Sequence, residues 1–134
     1  MTVAKVHDAG ENRIINILFG ATPVDGAYYL GLYKNPTELA EDAVLSGLDE
    51  PSGGSYVRQV LTRGVANWTI VDDAATYATI KTFLSTAAWG DIWGYFIATS
   101  LNNTGVLIAT EHFDAAYNIV SGKGIKIQPK ITVG

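Results

Sequence analysis

Cysteine is absent from the 134 residues. That removes disulfides, thiolate metal sites, cysteine nucleophiles and iron–sulfur clusters together. Histidine is nearly absent too, with only His7 and His112, so a three-histidine metal site is excluded. Positive charge is scarce: Lys and Arg number 9 against 13 Asp and Glu, a net charge of −4. A groove that neutralises many phosphates needs a surplus of positive charge, so nucleic-acid binding is not expected. Charged residues make up 16% of the chain, below the roughly 25% of ordinary soluble domains. No apolar run approaches the roughly 18 residues of a membrane-spanning helix, and the expected partners include no membrane. A secretory leader is not visible in the mixed stretch from Met1 to Gly10. The expected setting is a reducing cytosol, where the chain is made or assembled.

What is present is apolar and small. Hydrophobic residues make up 48%, and there are 14 glycines, 7 tyrosines and 3 tryptophans. So much apolar content excludes disorder as a description of the whole chain. The length fits one domain, 1–134, with no room for two full cores.

Residues 8–20 carry a helical pattern. Asp8 reads as an N-cap, with Glu11 three positions on as its capping-box partner. Ile14, Ile15, Leu18 and Phe19 form the apolar stripe, and Gly20 suits a left-handed helix end. The stripe predicts that Ile14, Ile15 and Leu18 pack on an apolar surface. After Thr22–Gly26 the period changes, and 27–134 reads as a β-sandwich. Ala27–Tyr33 is a buried strand, stopped by Asn35-Pro36. Residues 36–50 hold Glu38, Glu41, Asp42, Asp49 and Glu50 among scattered apolar side chains. They read as a surface excursion closed by the Pro51–Ser55 loop. Short strands follow at Tyr56–Leu61, Asn67–Val71, Thr76–Leu84, Ile92–Thr99 and Val106–Phe113. Asn102–Gly105 marks a hairpin loop. The last strand alternates, with Ile125, Ile127, Ile131 and Val133 on one face. Pro129 lacks an N–H, which predicts an edge position or a bulge. No crossover helices follow residue 51, so the expected class is all-β, a β-sandwich of jelly-roll type with a short N-terminal amphipathic helix.

The order of these pieces resembles small β-sandwich structural proteins of tailed bacteriophages, of the capsid-decoration, head-fibre and tail-fibre types. A short helix ends at Phe19-Gly20, and a strand Tyr28–Tyr33 runs into Asn35-Pro36-Thr37. Glu50-Pro51-Ser52-Gly53-Gly54-Ser55-Tyr56-Val57-Arg58 matches a proline–glycine–tyrosine–arginine loop. Trp68, a strand near Thr79–Phe83, Trp89-Gly90, a strand at Gly105–Ala109 and the turn Ser121-Gly122 complete the pattern. It covers roughly residues 12 to 133, and the acidic stretch 38–50 stands outside it. The resemblance implies a virion component that self-assembles, with a homotrimer expected. The implied partners are the major capsid protein or another virion protein. Capsid decoration is put first, because one domain without a repetitive shaft is short for a fibre. A fibre adhesin that binds host surface carbohydrate is the alternative.

No catalytic constellation is legible. Glu111 and His112 are neighbours on a strand and so point to opposite faces. The pair Asp72-Asp73 reads as a turn cap rather than a cation site. Ser52 and Ser55 lie in a glycine-rich loop with no following lysine of the phosphate-loop type. No catalytic residue, metal site or cofactor is expected. Aromatic rings can stack on sugars, but in apolar strands they usually fill cores and interfaces; Trp68 and Trp93 read that way. Trp89 precedes a turn, and Tyr56 and Arg58 follow the glycine-rich loop. These three are the candidate surface or interface contacts, with Arg58 either facing an acid of 38–50 or solvated.

Overall fold

The computed structural model describes residues 4–133. Apolar strands separated by turn residues produce an all-β body with one helix near its start. In chain order the elements are β1 (Ala4–Val6), α1 (Asp8–Phe19), β2 (Ala27–Tyr33), β3 (Gln59–Thr62), β4 (Trp68–Val71), β5 (Ala74–Tyr77), β6 (Lys81–Leu84), β7 (Gly90–Ala98), β8 (Leu107–Ile119), β9 (Gly124–Ile127) and β10 (Lys130–Thr132). Eight strands form one curled sheet in the order β3-β2-β7-β8-β1-β10-β5-β4. The other two, β6 and β9, pair as a small second sheet. Neighbours are antiparallel except β1 and β10, which run parallel. The all-β sandwich class is as expected, but its two layers are unequal. The large sheet also recruits β1 from ahead of the helix, a strand too short to show a period.

The concave face holds the main core. Leu30 and Leu32 of β2 meet Tyr95 and Ile97 of β7, and Phe83, Ile125 and Ile127 of the small sheet close over them. On the opposite face of β2 and β7, large rings fill the space left by glycines. Phe96 lies over its directly paired neighbour Gly31, and Tyr33 over its partner Gly94. The excursion 36–50 then covers this face, placing Leu45 and Leu48 against Tyr33 and Phe96. Asn35 ties its base: its side-chain amide donates to the Gly47 carbonyl at 3.1 Å and its oxygen accepts from the Asp49 N–H at 2.8 Å.

Three local expectations need correction. Thr76–Leu84 is two strands, β5 and β6, in different sheets. The final strand likewise breaks into β9 and β10 at the buried Pro129. The missing N–H interrupts the ladder there, and the chain changes sheet. β10 is not an edge, because it lies between β1 and β5, and Val133 is exposed rather than on the inner face.

The helix is turned away from its predicted stripe. Its N-cap is His7, with no side-chain cap bond, and Gly20 is extended rather than left-handed. Gly10 is the buried residue of α1, with Arg13, Ile14 and Ile17 half-buried on the same side. Ile15, Leu18 and Phe19 face solvent, at 56%, 67% and 84% exposure. A glycine lets the helix backbone come close to β8, and that contact sets the rotation.

Candidate functional site

The segment Glu50–Arg58 keeps Ser52, Gly53, Ser55 and Val57 exposed but buries Pro51 and Arg58. Gly53, Gly54 and Ser55 all have positive φ, which curls the loop back over Trp89. The Trp89 indole N–H donates to the Gly53 carbonyl at 3.2 Å. A side chain on Gly54 would meet the indole nitrogen at 2.7 Å. Tyr56 packs edge-on against Trp89, with ring centroids 5.6 Å apart.

Arg58 is seated beneath this loop at 7% exposure. Its guanidinium grips the Glu50 carboxylate in a bidentate pair, with Nε donating to Oε2 at 3.1 Å and Nη2 to Oε1. The remaining donors reach the loop between β7 and β8: Nη1 to the carbonyls of Ser100 (2.9 Å) and Asn102 (2.8 Å), and Nη2 to Asn103 Oδ1 (2.8 Å). All five N–H groups of the fork are thus used, which is what lets a charge sit in the interior. The Phe96 ring lies under the guanidinium at 4.9 Å. Tyr56 completes the knot. Its hydroxyl donates to Glu50 Oε2 at 2.6 Å and accepts from the Leu32 N–H at 2.9 Å. Burial raises the Tyr56 hydroxyl pKa well above its ordinary value, and the neighbouring Glu50 adds to that.

The structure therefore brings Trp89, Tyr56 and Arg58 together, but inside the chain. Trp89 is only 3% exposed, and neither it nor Arg58 is a surface residue. Arg58 does face an acid of the 38–50 stretch, the reading that depended on which side of the strand it took. The other two tryptophans are half-buried. Trp93 stacks on His112 with nearly parallel rings whose centroids are 5.6 Å apart, and His112 Nδ1 meets the Tyr33 hydroxyl at 3.0 Å.

A pair not singled out in the sequence is His7 and Thr110. His7 Nε2 lies 2.6 Å from the Thr110 hydroxyl, and Nδ1 lies 3.1 Å from the Glu41 carbonyl. The carbonyl can only accept, so Nδ1 carries a proton. A base beside a hydroxyl has the outline of an activated nucleophile, but both residues are buried and neither lines the groove beside α1. The pair clamps the start of α1 to β8 and to the excursion. The residues lie 103 positions apart, so no local motif announces them. Asp72 and Asp73 form the two-residue turn between β4 and β5. Among the described residues no group of three His, Asp or Glu side chains could hold a metal ion.

A groove of about 710 Å³ opens beside α1. Val6, Ile97 and Ile108 form its floor, Ile14 and Ile17 one wall, and Trp68, Ile70 and Val65 the other. Arg13, Arg63, Asp72 and Asp73 supply its charges, and Arg13 is engaged with Asp25. With few polar groups converging, the groove suits apolar contact rather than a sugar or a phosphate.

Over residues 5–132 the chain matches the family described as podophage GP4 fiber I protein gp80, and it belongs to that family. It is a bacteriophage structural protein and a component of the virion. No curated protein matches it.

Proposed function

We propose that the chain is a non-enzymatic fibre subunit that assembles as a homotrimer and is held on the particle by the capsid or another virion protein. The observation that carries this reading is the apolar surface left open around α1 and β4. Leu18, Phe19, Val65 and Ile70 are all mostly exposed, on a chain with few charges to keep it dispersed. The family's description speaks of a fibre, which supports the fibre reading.

The adhesin alternative needs an exposed aromatic platform with polar groups around it. Trp89 is buried, Trp93 is stacked on His112, and the groove that holds Tyr28 and Trp68 is mainly apolar. These features support assembly over glycan binding. The test pairs particles that lack the chain with the purified protein incubated on host cells and host glycans. The expected outcome is particles that lose stability or attachment, with glycans left intact. Release of reducing sugar, abolished by substituting a specific acid, would contradict the non-enzymatic reading. Saturable glycan binding without release would favour the adhesin.

A further inference from the structure

The large sheet ends in two edges, β3 and β4, and they are finished differently. β3 is tied to its surroundings. The Thr62 N–H donates to the Tyr77 hydroxyl of β5 at 3.2 Å, and the Gln59 side-chain amide donates to the Thr82 carbonyl of β6 at 2.6 Å. β4 is bare. Trp68–Val71 carries no charge, proline or bulge, the usual means of blocking an edge. Thr69, Ile70 and Val71 are exposed. The Asp72-Asp73 turn pairs Val71 with Ala74, and at the other end of the ladder the Ala78 N–H bonds to the Asn67 carbonyl. In an antiparallel pair alternate residues bond across the ladder, so Thr69 and Val71 bond to β5. The N–H and carbonyl of Ile70 and the carbonyl of Trp68 point the other way. Among the described residues no further strand meets them.

A row of free backbone donors and acceptors on a sheet edge is matched by an extended polypeptide that adds a strand. Trp68 and Ile70 also line the groove beside α1. Residues of an added strand directly opposite them lie on the same face of the sheet, so alternate side chains of that strand enter the groove. Charge sets its direction. Arg63 precedes β4 and Asp72-Asp73 follow it. An antiparallel strand, the more stable pairing, starts beside the two acids and ends beside Arg63. We infer that the free edge of β4 receives an extended segment of another virion protein. That segment is apolar at alternate positions, basic at its start and acidic at its end. The inference rests on the trimeric, particle-held reading above and names the surface that is held. Within a trimer β4 cannot pair with the β4 of a neighbour, because one edge meets its own copy only across a two-fold axis. The other edge of the large sheet is tied down, so a neighbouring copy's large sheet has no second free edge to offer.

The experiment compares phage particles carrying wild type, Ile70→Pro, Ile70→Val, and Asp72→Asn combined with Asp73→Asn. Quantitative mass spectrometry reads the copies of this chain per particle. Proline removes the outward N–H of Ile70 and leaves the ladder to β5 intact. Circular dichroism and native mass of each purified variant check its fold and its subunit count. Ile70→Lys, a charge on the exposed edge, replaces Ile70→Pro if that variant is unfolded. Ile70→Pro is expected to lose about tenfold in occupancy, the upper range for one lost hydrogen bond. Ile70→Val keeps the N–H and is expected at the wild-type level, with the asparagine pair between the two. Wild-type occupancy of Ile70→Pro would overturn the strand addition. Wild-type occupancy of the asparagine pair would overturn the direction assigned to the strand. A changed subunit count in folded Ile70→Pro would overturn the partner, because the edge then joins copies of this chain. Particles that lack the wild-type chain would remove the particle-held reading itself.

Discussion

Gly10 of α1 lies against the backbone of Ile108 in β8, so close that a Cβ on Gly10 would stand 2.4 Å from the Ile108 carbonyl oxygen. This contact fixes how the helix is rotated, and so which of its apolar residues reach solvent. In an isolated helix Gly10→Ala would be favourable by about 1 kcal/mol. Here the methyl group meets backbone that cannot swing aside. Gly10→Ala should destabilise the fold by about 1–3 kcal/mol, the usual range for overpacking. Urea unfolding measures it, and a midpoint equal to or above wild type would contradict the close approach.

The same rotation predicts an unequal response to charge. Ile15 faces solvent, so Ile15→Asp should leave the unfolding free energy of the dissociated chain within about 1 kcal/mol of wild type. Its effect should fall on assembly instead, lowering the native mass. A loss of several kcal/mol in dilute solution would mean that Ile15 is buried in the single chain after all.

Arg58 is the opposite case. Removing it strips Glu50 of its bidentate partner and frees the loop carbonyls of Ser100 and Asn102. Breaking a buried pair from one side costs about 3–5 kcal/mol, so Arg58→Ala should lower stability by that amount. Arg58→Lys should recover only part of it, because an ammonium cannot match the planar fork. Chemical denaturation of both variants checks the order, and full rescue by lysine would contradict the role given to the fork.

Alkaline pH should weaken the fold through its buried tyrosines. Burial is the first cause of the raised hydroxyl pKa at Tyr33, Tyr56 and Tyr95. In the unfolded chain these groups ionise near pH 10, while the folded chain keeps them protonated. Below pH 10 both states hold the proton and stability is unaffected. As pH rises above 10 only the unfolded state gives it up, and stability falls by roughly 1.4 kcal/mol per pH unit for each tyrosine. Denaturation midpoints between pH 8 and 11.5 should stay level and then drop, with a shallower drop in Tyr56→Phe. A flat profile to pH 11.5 would contradict the burial of these hydroxyls.

Where a single face decides, the sequence was readable. The apolar run expected as a strand at 92–99 falls within β7 up to Ala98, and the alternation of Ile125 and Ile127 puts both in the core. The break at Pro129 follows from its missing N–H. The helix was legible as a helix but not in its rotation, because apolar residues at 14, 15, 17, 18 and 19 spread over roughly 200° of its circumference. The series Gly10, Ile14, Ile17 has helical spacing and was the signal for the true inner face. Trp89, Tyr56 and Arg58 were recognisable as a group by their place around the glycine-rich loop. Their inward direction depends on Glu50 and on a loop forty residues further on, which no local period encodes. The groove is assembled from β1, α1, β2, β4, β5, β7, β8 and β10, so it exists only after the sheet has curled.

Electron cryomicroscopy of the intact phage particle tests the central claim most directly. The account predicts this chain in the virion as groups of three on a fibre, with the apolar surface around α1 and β4 covered. Single copies whose α1 face lies in solvent, or particles without this chain, would contradict it.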